Sequence, residues 1–297
     1  MKFARNVECI VLACILVGLA STGQPNSWSE GKDTERTGTV TTPQSTMAMT
    51  NVIGLSPDKK LRAERLTSAF ENGVVELQYG YAQNLHDGRG ITCGFEGFCT
   101  GTGDAYLVVE QYTDSKPNNI LAKYLPELTR LLTANNPADT SRLTGYIKDW
   151  GTAAKDPVFC NVQQNVADSL YYKPAMNYGA KWGLKTNLSK AFLWDTLMTH
   201  GDGDDSEPDS MPAIYNRTVK TVGGSPATGM DEKKFLVAFI AMRKADMLHS
   251  YDPATRQGWI EAAPRCDVFM EIVNANNWDF NGPIKIEDPE YGPITVP

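Results

Sequence analysis

Apolar side chains recur every three to five residues across 61–81, with polar residues between them. This spacing predicts an amphipathic helix. The run Ser56-Pro57-Asp58 is typical of a helix start, because serine caps the N-terminus, proline suits the first turn and an acid follows. Asn72-Gly73 predicts that the helix ends or bends there. Glu71 would therefore lie near the C-terminus of this helix.

A glycine-rich segment at 88–103, with short β-prone pieces between the glycines, predicts turns and short strands. After this segment the periodicity is mostly that of α-helices. The helices are predicted at 107–112, 120–132, 152–171, 191–200, 233–248 and 266–274. We therefore expect a mainly α (α+β) fold with a small β element near the front of the folded domain.

The first twenty residues have the pattern of a secretory signal peptide. Lys2 and Arg5 precede an apolar run, and the small residues Gly18 and Ala20 suit cleavage after residue 20. The run is short for a transmembrane anchor, which is the alternative. Residues 21–56 are rich in small and polar residues, which predicts a flexible linker or pro-segment. The folded domain is then 57–297, secreted and extracellular, with no membrane attachment once the signal is removed.

Six cysteines are present, and Cys9 and Cys14 fall within the predicted signal. The even number that remains in an oxidising compartment predicts one or two disulfides, with the pairing left open. Their spacings match no zinc pattern. These four are Cys93, Cys99, Cys160 and Cys266.

The formal net charge of −7 argues against non-specific nucleic-acid binding and suits a cationic ligand. The acidic run at 201–207 is similar to a calcium loop but lacks glycine at the sixth position and glutamate at the twelfth. An acidic surface loop is the favoured interpretation. We expect no metal and no cofactor.

Glu71 and Asp87 are candidates for a pair of catalytic carboxyl groups, sixteen residues apart. Hydrolysis of a glycosidic bond uses one carboxyl to protonate the leaving oxygen and another on the anomeric side. Phe70 and Val74 would shield Glu71 from water, a setting in which a carboxyl keeps its proton. Arg89 would pair with Asp87 and hold it ionised. A surface glutamate and an Asp-Gly turn are the alternatives if each residue is taken alone.

Several runs resemble, in order, the glycoside hydrolase family 46 chitosanases. The runs at the front are Glu71-Asn72, then 87–92 and 97–104, and similar runs follow at 119–126, 148–159, 171–175, 195–201 and 243–244. The resemblance extends from about residue 60 to the C-terminus. It implies a lysozyme-like fold of two mainly helical lobes, one with a small sheet, and a substrate cleft between them.

The resemblance also implies an activity, the endo-hydrolysis of β-1,4 links in chitosan with inversion at the anomeric carbon. By the same resemblance, Glu71 is the general acid and Asp87 the general base. Thr92 helps to place the attacking water and Arg89 lies beside the base. The implied partners are chitosan and its oligosaccharides, and we expect a monomer.

The resemblance also implies roles for individual residues at matching positions. Asp104 would bind a substrate amino group, and Tyr171 and His200 would line the cleft. A buried ion network supporting the acid would contain Asp195, Arg243 and Arg256, the last matched across a small gap.

The sequence also departs from the family pattern. The interval between the two carboxyls is about two residues shorter, Leu77 stands where a tryptophan is expected, and Lys173 replaces an acid. A lysozyme- or chitinase-like hydrolase of acetylated polysaccharide and an inactive secreted sugar-binding protein remain the alternatives.

Overall fold

A computed structural model describes residues 54–203, 206–253, 256–288 and 291–297. The predicted signal peptide at 1–20 lies outside these residues, as do residues 21–53 of the predicted linker. Residues 204 and 205 of the acidic run are also outside them. Within the described part of the chain, no helix has the length and apolar character needed to cross a membrane.

The described residues are mainly helical, with two small antiparallel sheets. The front of the chain forms α1 (Pro57–Asn72), β1 (Ala82–Asn84), β2 (Ile91–Cys93), β3 (Phe98–Cys99), α2 (Asp104–Ser115), α3 (Leu125–Leu131), α4 (Tyr146–Ala153) and α5 (Pro157–Ala167). The remainder forms α6 (Lys173–Trp182), α7 (Asn187–His200), α8 (Met211–Val222), α9 (Glu232–Leu248), α10 (Arg256–Ala262), α11 (Pro264–Asn274), β4 (Ile284–Asp288) and β5 (Gly292–Val296). A π-helical turn, Asp168–Tyr172, joins α5 to α6. The predicted mainly α fold with a small front sheet is confirmed.

Helix α1 begins where the sequence predicts and ends at the predicted Asn72-Gly73 break, so the apolar periodicity that continues to residue 81 does not form a helix. Ser56 is its N-cap and Pro57 its first residue. Gly73 ends it with a left-handed φ of 67°, and its N–H donates to the carbonyl of Ala69 at 3.1 Å. A Cβ at Gly73 would lie 2.4 Å from the ring of Tyr291, so glycine is required both by conformation and by this close approach.

Strands β1, β2 and β3 form an antiparallel meander in that order. Asn84 pairs with Ile91, and Thr92 pairs with Cys99. The loop at 85–90 therefore precedes β2 at one end of the sheet. The turn at 94–97 follows β2 at the other end.

Two hydrophobic cores underlie the fold. The larger core is formed by buried residues of α1, α6 to α11 and the β4–β5 hairpin. The smaller core is formed by β2, β3 and helices α2 to α5. Leu170, in the π-helical turn, packs against both. The front sheet thus belongs to the smaller core, whereas α1 belongs to the larger one.

The single helix predicted at 152–171 is wrong, since the chain makes two helices there. Asp156 caps α5, and its side chain accepts a hydrogen bond from the N–H of Val158 at 3.0 Å. Pro157 is the first residue of α5 and has no N–H with which to continue α4.

The prediction of disulfides is not borne out, because Cys93, Cys99, Cys160 and Cys266 are all free thiols in the structure. Cys93 pairs with Phe98, and Thr92 pairs with Cys99, so Cys93 and Cys99 point to opposite faces of the sheet. Cys266 lies in the larger core, while Cys93 lies in the smaller one. Burial raises the pKa of both the Cys99 and Cys266 thiols to about 11, which favours the neutral thiol.

Candidate active site

Glu71 lies on the last turn of α1, and its side chain is 10% exposed. Its carboxylate accepts a hydrogen bond from Nη2 of Arg265, on the first turn of α11. These two residues are 194 positions apart in the chain. The guanidinium therefore fixes the orientation of the Glu71 carboxyl from a distant element.

Arg265 also belongs to a buried ion network centred on Asp195 of α7. Its Nη1 lies 3.3 Å from Oδ1 of Asp195, and Nη1 of Arg243 lies 2.6 Å from Oδ2. Both arginines donate to the hydroxyl of Thr199, at 2.9 and 3.1 Å. The network thus joins the carboxyl groups of Glu71 and Asp195 to the guanidinium groups of Arg243 and Arg265. Burial opposes the charge of Arg265, but Glu71 and Asp195 outweigh it and raise the Arg265 pKa.

The assignment of Arg256 to this network is a sequence prediction that the structure corrects. Arg256 is exposed, at the start of α10, and its Nε and Nη2 donate to the carbonyl of Ser250 at 3.3 and 3.0 Å. The second arginine of the network is instead Arg265, which lies nine residues later in the chain. The predicted members Asp195 and Arg243 do lie in the network.

Asp87 lies in the loop between β1 and β2, where Arg89 holds it. Its Oδ2 accepts from Nε and Nη2 of Arg89 at 2.9 and 2.6 Å, and its Oδ1 accepts from the backbone N–H of Arg89 at 3.0 Å. The two side chains are 23% and 20% exposed. Arg89 thus contacts both oxygens of the Asp87 carboxyl group and fixes its orientation.

The two carboxyl groups lie at opposite ends of strand β2. Asp87 precedes this strand, whereas Glu71 lines a pocket with the turn that follows it, Gly94 to Gly97. Gly94 lies three residues after Ile91, which corresponds to about 10 Å at the rise of a β-strand. This rise spans the strand between the loop that carries Asp87 and the turn that lines a pocket with Glu71.

Thr92 lies in the middle of β2 and is completely buried. Its hydroxyl lies 3.4 Å from the Sγ of Cys99. The structure therefore places it between the ends occupied by the two carboxyl groups, but beneath the surface.

Asp104 and Tyr171 lie close to this sheet. Oδ1 of Asp104 accepts from the N–H of Cys99 at 2.8 Å and from the hydroxyl of Thr102 at 2.5 Å, which fixes the start of α2. Burial raises the Asp104 pKa above its usual range. Burial also raises the pKa of Tyr171 well above that of free tyrosine, with Asp104 adding to the effect. Tyr171 is 2% exposed, so it lies under the cleft surface rather than on it.

His200 does not line a surface, which corrects its assignment to the cleft. Its side chain is fully buried, its Nδ1 lies 2.9 Å from the carbonyl oxygen of Asp209, and its ring lies 4.7 Å from that of Trp259. Burial, and then Arg243, lower its pKa well below the usual range. His200 is therefore a neutral core residue.

Asp246 faces His200 and carries a testable pH dependence. Burial raises its pKa to about 7, although Arg217 opposes the shift. Because the folded pKa exceeds the unfolded one, this carboxyl contributes stability below about pH 4 that is lost as the pH rises through about 7. Asp246→Asn should remove this pH dependence. Between pH 5 and pH 8, the free energy of unfolding should therefore fall by less in the variant than in the wild type, with a difference on the order of a few kcal/mol. Urea titrations of both proteins at the two pH values check this, and parallel pH profiles would contradict it.

Known proteins are similar to this chain over most of its length. The model of glycosyl hydrolase family 46 matches residues 65–284. A chitosanase of Bacillus subtilis (strain 168) is 49% identical over 243 residues, which cover 82% of this chain and 87% of the relative. A chitosanase of Streptomyces sp. (strain N174) is 37% identical over 289 residues, covering 96% of this chain and 94% of the relative.

Solved structures are also similar. A mutant chitosanase of Bacillus subtilis MY002, complexed with 6 GlcN, is 49% identical and superposes with a TM-score of 0.76, covering 82% of this chain and 100% of that one. A Gynuella sunshinyii chitosanase in complex with chitotetraose is 37% identical, with a TM-score of 0.74 over 82% of this chain and 99% of that one. The expected two-lobed, lysozyme-like fold is consistent with these structures. With its family match, its relatives and its fold in agreement, this chain belongs to glycosyl hydrolase family 46.

Proposed function

We propose that this protein is a secreted endo-chitosanase, which hydrolyses β-1,4-glucosaminide links of chitosan with inversion. The observation that supports the proposal is that Glu71 lines a pocket with the turn after β2, while Asp87 lies in the loop before β2. Chitosanase as the activity is supported by the relatives of 49% and 37% identity. Secretion rests on the sequence pattern of residues 1–20.

In the proposed mechanism, the protonated Glu71 gives its proton to the glycosidic oxygen as the bond to the anomeric carbon breaks. Asp87, ionised beside Arg89, takes a proton from a water that attacks the same carbon from the opposite face. The product therefore has the inverted anomeric configuration. Arg265 keeps the Glu71 carboxyl oriented.

Endo-action and a cationic substrate have separate support. The Bacillus subtilis MY002 structure is complexed with 6 GlcN, a ligand long enough to occupy several subsites. The chain itself carries a net charge of −7, which attracts a polycation. In the described residues, the hydrogen bonds of Asp104 all end on its Oδ1, so Oδ2 is the atom proposed to bind a substrate amino group.

A comparison of polymers tests the proposed activity. Reducing ends should appear rapidly on fully deacetylated chitosan and slowly on fully acetylated chitin, with oligosaccharides rather than monomers as the first products. Faster hydrolysis of chitin or peptidoglycan would replace the proposal with a lysozyme-like activity. No new reducing ends on any polymer would indicate a sugar-binding protein.

Asp87→Asn should lower kcat on chitosan by about 10²–10⁴-fold, because the attacking water loses its base. Sodium azide should restore part of the rate in this variant and give a glycosyl azide, since azide attacks without needing a base. Asp114→Asn, at an exposed position of α2, is the matched control and should keep the full rate. An Asp87→Asn enzyme with more than half of the wild-type kcat would remove Asp87 from the role of base.

A further inference from the structure

Glu96 is a buried carboxyl group that the mechanism above does not use. It lies in the turn between β2 and β3, is 4% exposed, and its Oε2 has no hydrogen-bond partner among the described residues. Phe95 anchors the turn by packing against Tyr79, with ring centroids 5.0 Å apart. A buried polar atom without a partner is costly and rare in folded proteins, so it requires an explanation.

The Glu96 side chain lines the same pocket as Glu71. Asn72, Tyr81 and Met198 also line the pocket. Met198 belongs to the larger hydrophobic core, whereas Phe95 packs against the smaller one. The pocket has room for about one water-sized group. An ammonium group is of this size, whereas an acetamido group is several times larger.

The charges around Glu96 favour a cation in this pocket. Burial first, and then the carboxylates of Glu64 and Glu71, raise the Glu96 pKa well above its usual range. Lys60 is the cation that lowers the Glu96 pKa, but its Nζ is held by Glu64 at 3.0 Å and by Asp168 at 2.7 Å. Glu96 therefore carries its proton in the free protein, and no cation of the described residues is paired with its Oε2.

We infer that Glu96 is a specificity-determining residue, which receives the ammonium group of the glucosamine unit bound beside Glu71 and excludes an N-acetylated unit there. This inference rests on the proposed function. When the ammonium group enters, Glu96 releases its proton to solvent and the resulting carboxylate pairs with the cation. When the substrate arrives as a free amine, the same proton passes from Glu96 to the amine and the same pair forms.

Two substitutions separate the charge of Glu96 from its size. Glu96→Gln keeps the volume and removes the charge, so kcat/KM for fully deacetylated chitohexaose should fall by about 10–100-fold, as for loss of a charged hydrogen bond. Its products from partly acetylated chitosan should still carry glucosamine at the new ends. Glu96→Ala also makes room, so N-acetylglucosamine should appear at one of the two new ends, which mass spectrometry of the products detects. Glu271→Gln, on the exposed face of α11, is the control and should match wild type in both assays.

Proton release gives a readout that a purely structural role would not change. In the Asp87→Asn background, which leaves the pocket intact, calorimetry of chitohexaose binding at pH 6 in two buffers measures the protons released. Adding Glu96→Gln should reduce that number by close to one. Unchanged product ends in Glu96→Ala, together with equal proton release, would overturn the inference while leaving wild-type chitosan hydrolysis, and hence the proposed function, intact. A wild-type protein inactive on chitosan would instead overturn the proposed function.

Discussion

Glu71→Gln should lower kcat on chitosan by about 10²–10⁴-fold, the usual contribution of a positioned general acid. Glutamine has nearly the same shape as glutamate but has no acidic proton for the leaving oxygen. Because Arg265 keeps its contacts with Asp195 at 3.3 Å and with Thr199 at 2.9 Å, the fold should survive the change. Initial rates on chitohexaose, with circular dichroism of the same samples, measure both effects.

The control for this variant is Glu271→Gln, which makes the same chemical change at an exposed position of α11. It should have the rate of the wild type. Azide should not rescue Glu71→Gln on chitosan, because the missing group is the acid and not the base. A Glu71→Gln enzyme with a kcat within threefold of wild type would require another proton donor.

Asp195→Asn should have the largest effect on stability, a loss of about 3–5 kcal/mol. The Asp195 carboxylate is 2% exposed and lies between Arg243 and Arg265, which are 0% and 4% exposed. Its neutralisation leaves buried positive charge without compensation, and removing one partner from a buried pair is strongly destabilising. For a domain of this size, the melting temperature should fall by about 6–20 °C. Activity should also fall by more than the loss of folded protein explains, since Arg265 would no longer hold Glu71.

Asp267→Asn is the matched control for this effect. Asp267 pairs with Lys244 at 2.5 Å, but the two side chains are 55% and 37% exposed. Water screens such a pair, so its loss should cost less than about 1 kcal/mol. If Asp195→Asn were no less stable than Asp267→Asn in a urea titration, the buried network would not support the site as described.

Local structure could be predicted where one short run of residues determines it. Ser56-Pro57 and Gly73 define the two ends of α1, and the glycines of 88–103 indicate the turns of the front sheet. The same kind of signal was available at Asp156-Pro157, which starts α5, and at Ser210, whose side chain caps the unpredicted α8. The helix period continues across these positions, and it obscured the break at Pro157.

Contacts between distant parts of the chain could not be predicted from periodicity. The arginine that holds Glu71 is 194 residues away from it, and nothing local distinguishes Arg265 from Arg256. What separates them is tertiary packing, because Arg265 begins α11 inside the larger core while Arg256 begins the exposed end of α10. The unpredicted β4–β5 hairpin also depends on packing, since its apolar side chains alternate over only five residues in each strand.

The free cysteines and the buried His200 have the same explanation. Cysteine counting gives the number of thiols but not their directions, and the register of β2 with β3 separates Cys93 from Cys99. His200 is the last residue of the buried helix α7, and only the packing of Trp259 against it shows that it is enclosed. Glu96 carried no sequence signal beyond its place between two glycines, Gly94 and Gly97.

The stereochemistry of the first product tests the central claim most directly. The claim is that Glu71 and Asp87 act from opposite sides of one bond, with a water between Asp87 and the anomeric carbon. Proton NMR of chitohexaose hydrolysis, recorded before the anomers interconvert, should show α-anomeric reducing ends formed first from the β-linked substrate. Initial formation of β-anomeric ends would mean retention and a covalent intermediate, and would contradict this account.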